Sequence, residues 1–132
     1  MFRVTGGDVY VIRFAPFTSQ GLARNARATA LDDLANSRSQ RWGVSMFYCH
    51  SGSIEHLDEA IRAVCADAPV TGKRIEIVRL DVLEDAGFVV YDDQPPPAHC
   101  LVGEGNLESS PDVESLAAVM DVGRRDNPGW EG

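Results

Sequence analysis

Three strand-like runs crowd between residues 74 and 103, and the links between them leave no room for helical crossovers. Arg74-Ile-Glu-Ile-Val-Arg-Leu80, Phe88-Val-Val-Tyr91 and Ala98-His-Cys-Leu-Val-Gly103 are rich in β-branched and aromatic residues. Only residues 81–87 and 92–97 separate them, whereas a βαβ connection needs about 10–12 residues or more. A doubly wound parallel fold is thereby disfavoured. The expected class is α+β, a single mixed or mostly antiparallel sheet of about five strands with two or three helices packed on it.

Two more strands precede these. Asp8-Val-Tyr-Val-Ile-Arg-Phe14 is stopped by Pro16. Within it Val9, Val11 and Arg13 alternate with Tyr10, Ile12 and Phe14, so Arg13 faces away from the aromatic row. Trp42-Gly-Val-Ser-Met-Phe-Tyr-Cys49 is an apolar run, which predicts cover on both faces and a central place in the sheet.

Among the helices, 54–65 is the best specified. Ser53 is placed to cap it and Glu55 suits its positive end. Ile54, Leu57, Ile61, Val64 and Cys65 make one apolar stripe, which makes Cys65 a core residue. Asp58 and Arg62 are spaced as an i,i+4 pair, and Pro69 ends the helix. Asp81-Val-Leu-Glu84 reads as a capping box, with Gly87 as a left-handed stop. Ser110-Pro111 reads as cap and first turn of a helix that buries Val113, Leu116, Ala117 and Met120 and stops at Gly123. A short helix is expected near 28–36, with Gln20-Gly21 and 37–39 as loops. Residues 1–123 are expected to form one domain and 124–132 a tail.

A chain of 132 residues, 44% hydrophobic and 24% charged, suits one globular domain. No apolar run approaches the roughly 20 residues that span a bilayer. The opening MFRVTGGDVY lacks the apolar core of an export signal. Three cysteines, an odd number, point to reduced thiols. The expectation is a cytoplasmic protein with no membrane contact. A net charge of −8 opposes general nucleic-acid binding. The charge is uneven: residues 1–50 carry +3 and residues 51–132 carry −11. Arg24, Arg27, Arg38 and Arg41 are therefore candidate contacts for a protein partner or a small anionic ligand. The same arginines can instead pair with the protein's own carboxylates.

No phosphate loop, dinucleotide fingerprint, His-Glu-x-x-His or nucleophile elbow occurs, and no cofactor is expected. The sharpest local feature is Pro95-Pro-Pro-Ala-His99-Cys100, where stiff prolines can aim His99. His99 can equally be a half-buried strand residue bonded to a carbonyl. Cys49-His50 and His99-Cys100 have no metal-ligand spacing, so no metal is expected. Cys49 with His99 is a candidate nucleophilic pair, although Cys49 ends an apolar strand.

Arg13, Ser45 and Glu76, in that order, loosely resemble the arrangement in ADP-ribosyltransferase-type and related NAD-cleaving toxin folds. That resemblance implies an Arg gripping pyrophosphate and a Glu orienting ribose. A second resemblance rests on Val11-Ile-Arg13-Phe14-Ala-Pro16, Arg27-Ala-Thr29, Trp42-Gly-Val-Ser45-Met-Phe, Gly87-Phe-Val-Val-Tyr91 and Pro97-Ala98-His99-Cys-Leu-Val-Gly103. This order is similar to small uncharacterised bacterial proteins with an Arg-Phe-x-Pro start, a Leu-Ser-Val-type strand and an Asn-Pro-Ala-His-Ala-x-Ile-x-Gly ending. The chain departs from them at Pro96-Pro97 and at Val44-Ser45-Met46, and helix 111–122 lies outside the likeness. The likeness implies a compact bacterial domain with a site around Arg13, Ser45 and His99.

The leading expectation is a small binding or accessory protein, a component of a bacterial multi-gene system of the toxin or defence type, whose partner meets the positive N-terminal third or the 95–100 corner. The alternative is a small enzyme acting on NAD or a nucleotide, or a Cys/His hydrolase. It would use Arg13, Ser45 and His99 and, less centrally, Cys49 and Glu76.

Overall fold

Strand β1, Val9–Arg13, has two faces that bury different company. In the computed structural model, which describes residues 2–51, 54–68, 71–103, 107 and 110–130, this strand lies inside a six-stranded sheet. The chain order is β1, α1 (Ser19–Ala35), β2 (Val44–His50), a 3-10 turn at Ile54–His56, α2 (Leu57–Asp67), β3 (Arg74–Arg79), α3 (Leu80–Asp85), β4 (Val90–Asp92), β5 (His99–Val102), α4 (Ser110–Asp121) and β6 (Arg124–Asp126). The strand order is β4-β5-β2-β1-β3-β6, and all five pairings are antiparallel. The class is α+β as the short links required, and β2 holds an interior place.

Alternation sorts the sheet into two faces. Val9 and Val11 pack with Val44, Met46, Val78, Cys100 and Val102 beneath α1, α3 and α4. Ile12 and Phe14 pack with Phe47, Cys49, Ile75 and Ile77 beneath α2, which supplies Leu57, Ile61 and Val64. One eleven-residue helix therefore covers this second face, where three cover the first.

Several expectations need correction. The helix expected at 28–36 runs from Ser19, and Gln20-Gly21 is its first turn rather than a loop. Thr18 caps it, its hydroxyl accepting from the Gly21 N–H at 3.0 Å. Gly21 belongs there for steric reasons: a Cβ would stand 2.4 Å from Pro16 Cγ. The expected tail supplies β6, which pairs with β3 through Glu76↔Arg124. A sixth strand thus joins the expected set. Asp81 does not cap α3, which starts one residue earlier without a side-chain cap; Asp81 pairs with Arg79 at 2.9 Å. Asp58 pairs with Arg125 at 2.8 Å, while Arg62 donates to the Pro128 carbonyl, so the proposed i,i+4 pair is replaced by contacts to the C-terminal segment. Cys65 is half-buried, not core, and its thiol donates to Asn127. Gly87 has φ of +94°, the expected left-handed stop. The Ser53 cap and the Pro69 stop lie outside the described residues, as do the side chains of Ser110 and Pro111.

Candidate functional site

Where β1 leaves the sheet, it opens a gap beside β2. The β1–β2 ladder reaches only Ile12↔Phe47, so the main-chain groups of Ser45 lose their strand partner. Two side chains replace it. Asn25 Oδ1 accepts the Ser45 N–H at 2.7 Å, and Arg13 Nη1 donates to the Ser45 carbonyl. Arg13 Nε donates to the Pro16 carbonyl at 3.1 Å. This arginine, 4% exposed, therefore laces β1, β2 and the entry to α1.

Beside that seam is a cavity of about 260 Å³ lined by Arg13, Phe14, Ala15, Ser45, Met46, Phe47, Pro96 and His99. Its walls are mostly apolar. Phe14 and Phe47 lie 5.5 Å apart between ring centres, and His99 meets Phe47 edge to face at 5.4 Å. Register explains the grouping, since Phe47 pairs with His99 and Ser45 with Leu101. Ser45 and His99 are thus diagonal neighbours on the face that α2 covers only in part, a spacing that long side chains bridge.

His99 is aimed from behind. Its Nδ1 lies 3.1 Å from the Asp93 carbonyl and 3.2 Å from Asp93 Oδ2. Both are acceptors, so Nδ1 carries the proton, and in the neutral ring Nε2 is a bare acceptor. No described residue hydrogen-bonds Nε2 or the Ser45 hydroxyl. Asp93 is held in turn by Arg41 at 3.0 Å. Arg41 grips Asp33 through Nε, Nη2 and its own main-chain N–H. Asp33 is fully buried. Burial pushes its carboxyl up, but the hydrogen bonds and charge of Arg41, aided by Arg38, outweigh that and hold it below the usual value.

The turn that carries His99 is braced by main-chain bonds from Asp93 N–H to the His99 carbonyl, from His99 N–H to Pro96 and from Tyr48 N–H to Ala98. It is a hairpin turn rather than the extended rod that three prolines suggested. Ala98 and Trp42 both sit at left-handed φ, 63° and 55°. They flank His99 and Arg41, and strained backbone of this kind gathers at functional sites.

The other anticipated residues fall elsewhere. The Arg13 side chain continues the Val9–Val11 row, opposite Glu76 in the β1–β3 register, whereas His99 faces the other way with Phe47. Arg13 is present at the cavity, but it is engaged with two carbonyls and does not share a face with His99. Burial lowers its pKa to about 10, a fall that Glu76 opposes. Glu76 is fully buried and is clasped by Arg124 at 2.7 Å. Burial raises its pKa, with Arg124 opposing. Of Arg13, Ser45 and Glu76, the first two line the cavity, while Glu76 lies across the β1–β3 register from Arg13 and outside its lining. Cys49 is pushed up to about 11 by burial, with Asp8 adding to it, so its thiol is not activated. It lines a separate groove with Pro97 and Ala98. Among the described residues no three metal-ligating side chains cluster.

Of the basic group, Arg38 pairs with Asp32 at 3.0 Å and Arg41 with Asp33 and Asp93. Arg24 and Arg27 are exposed on α1. The charge excess of the first 50 residues is thus largely spent inside the molecule. Asp33 and Asp93 escaped the sequence reading. Asp93 precedes the prolines and looks like a chain breaker, and nothing local ties it to His99. Among the described residues no helix is long and apolar enough to cross a membrane. Comparisons with protein-family models, curated proteins and solved structures give no match to this chain.

Proposed function

We propose that this domain is a binding module whose recognition site is the cavity between the end of β1, β2 and the turn before β5. The reading rests on one observation: His99, its proton fixed on the Asp93 side, borders an apolar cavity with the Ser45 hydroxyl nearby. The pair of arrangements, rigid aromatic walls and a few placed polar groups, is typical of ligand sites. At about 260 Å³ the cavity is smaller than the ~300–1,000 Å³ of sites for drug-sized ligands. It takes a single ring with room to spare, which favours an anchoring side chain from a partner protein over an extended metabolite. The accessory role is kept, and of its two expected contact regions the 95–100 corner is preferred to the N-terminal arginines.

The test is titration of isotope-labelled protein with toluene while backbone amide shifts are followed. Shifts confined to Phe14, Ser45, Phe47 and His99 are expected at millimolar probe. A spectrum unchanged by toluene and by its phenolic counterpart p-cresol alike would overturn the reading.

A further inference from the structure

Building on that binding role, we infer that the group recognised is a phenol, a tyrosine side chain in a partner. Arg13, which also lines the cavity, spends Nε and Nη1 on the Pro16 and Ser45 carbonyls and leaves Nη2 without a partner; beside it the cavity offers polar functions of two further kinds. In its neutral form His99 presents Nε2 as an acceptor only, because Nδ1–H donates toward the carbonyl and the carboxylate of Asp93. Ser45 presents a hydroxyl that can donate or accept. The two residues are diagonal neighbours on the same face of the β2–β5 pair.

A ligand that satisfies both must donate once and accept once through groups close together. A phenolic hydroxyl does this with one atom, giving its proton to Nε2 and accepting from Ser45. An indole N–H can only donate, which leaves the Ser45 proton unmatched. A carboxylate can only accept, so it suits the charged ring with a proton on Nε2 rather than the neutral one. A plain hydrocarbon ring leaves both polar groups dry and unpaired, at a cost. The rest of the ring lies against Phe14 and Phe47, whose tilted and edge-on contacts with their neighbours are the geometries aromatic rings favour. The network behind His99 keeps the ring from turning over, since Asp93 is tied through Arg41 to buried Asp33.

The experiment compares p-cresol with its methyl ether, 4-methylanisole, by amide-shift titration of the wild-type domain. The two probes differ by the donor, so no variant is needed for the main comparison. p-Cresol is expected to bind about tenfold tighter, the order of one well-made hydrogen bond. In His99→Ala, with its fold checked by circular dichroism, the preference is expected to fall to near unity while the ether still binds. Ser45→Ala is expected to weaken both probes, because both oxygens accept from Ser45, and to leave the preference for p-cresol in place. Equal affinity of the two probes in the wild type overturns the phenol assignment while leaving the cavity a binding site. Failure of both probes and of toluene overturns the binding role itself. N-acetyltyrosinamide binding at least as well as p-cresol supports a partner's tyrosine. Its exclusion, with p-cresol still bound, overturns the partner side chain and assigns the site to a free phenol.

Discussion

Asp93 approaches Nδ1 of His99 with both its carbonyl oxygen, at 3.1 Å, and its carboxylate, at 3.2 Å. One residue thus fixes which ring nitrogen holds the proton, and the consequence can be read directly. In long-range proton–nitrogen spectra at a pH where the ring is neutral, Nδ1 is expected to be protonated and Nε2 bare. A dominant Nε2–H tautomer would contradict the arrangement.

Asp33 is the anchor of the chain of contacts that ends at His99. It is fully buried, and Asp33→Ala leaves Arg41 without its main partner. Loss of one member of a buried ion pair typically costs about 3–5 kcal/mol, and that range is expected from urea unfolding. Its neighbour Asp32 is exposed, and Asp32→Ala is expected to cost less than about 1 kcal/mol. Equal losses at the two positions would remove Asp33 from its anchoring role.

The same carboxyl gives the stability an acid edge. Its folded pKa lies below its unfolded one, so its contribution is present above the unfolded value, about 3.9. That contribution is lost as pH falls through the folded value. Wild-type protein is expected to lose stability below about pH 4 more steeply than Asp33→Asn. Parallel curves for the two proteins would show that another group sets the acid limit.

Gly21→Ala separates propensity from packing. Alanine favours a helix interior by about 1 kcal/mol over glycine, so propensity alone forecasts a gain. The added Cβ would stand 2.4 and 2.6 Å from two Pro16 ring atoms, and overpacking costs about 1–3 kcal/mol. A lower unfolding midpoint is expected, and a higher one would mean that the α1 entry is looser than described.

Cysteine chemistry should follow burial. Burial raises the thiols of Cys49, to about 11, and of Cys100, well above the ordinary value; it also raises half-buried Cys65, where the hydrogen bond to Asn127 opposes it. Iodoacetamide at neutral pH is expected to modify Cys65 first, as read by mass spectrometry of digests. Above the unfolded thiol value, about 8.5, stability is expected to decline as pH rises through 11, because the unfolded thiol ionises before the folded one. Early labelling of Cys49 would argue against its packed position.

Much of this architecture was legible locally. The alternation of Val9 and Val11 with Tyr10 and Ile12 gave the two faces of β1, and it placed Arg13 away from the aromatic row. Gly87 announced its turn, and the spacing of Leu57, Ile61 and Val64 gave the inner face of α2. The first half of α1 was misread because Gly21 looks like a loop residue until Pro16 is seen against it. β6 was misread because Arg124-Arg125-Asp126 has no apolar member and becomes a strand only by pairing with β3.

The sequence by itself determined the first five strands and which way their side chains point, since a two-residue period is fixed by backbone geometry within a few positions. Tertiary structure alone decided how the charges are spent. Asp33, Arg41, Asp93 and His99 are scattered over 67 positions, and the same arginines could have served a ligand or the protein's own acids. Only the folded chain brings Arg41 between two aspartates and so turns Asp93 toward His99. Pairwise electrostatics depend on distance through space, and no local pattern carries that distance.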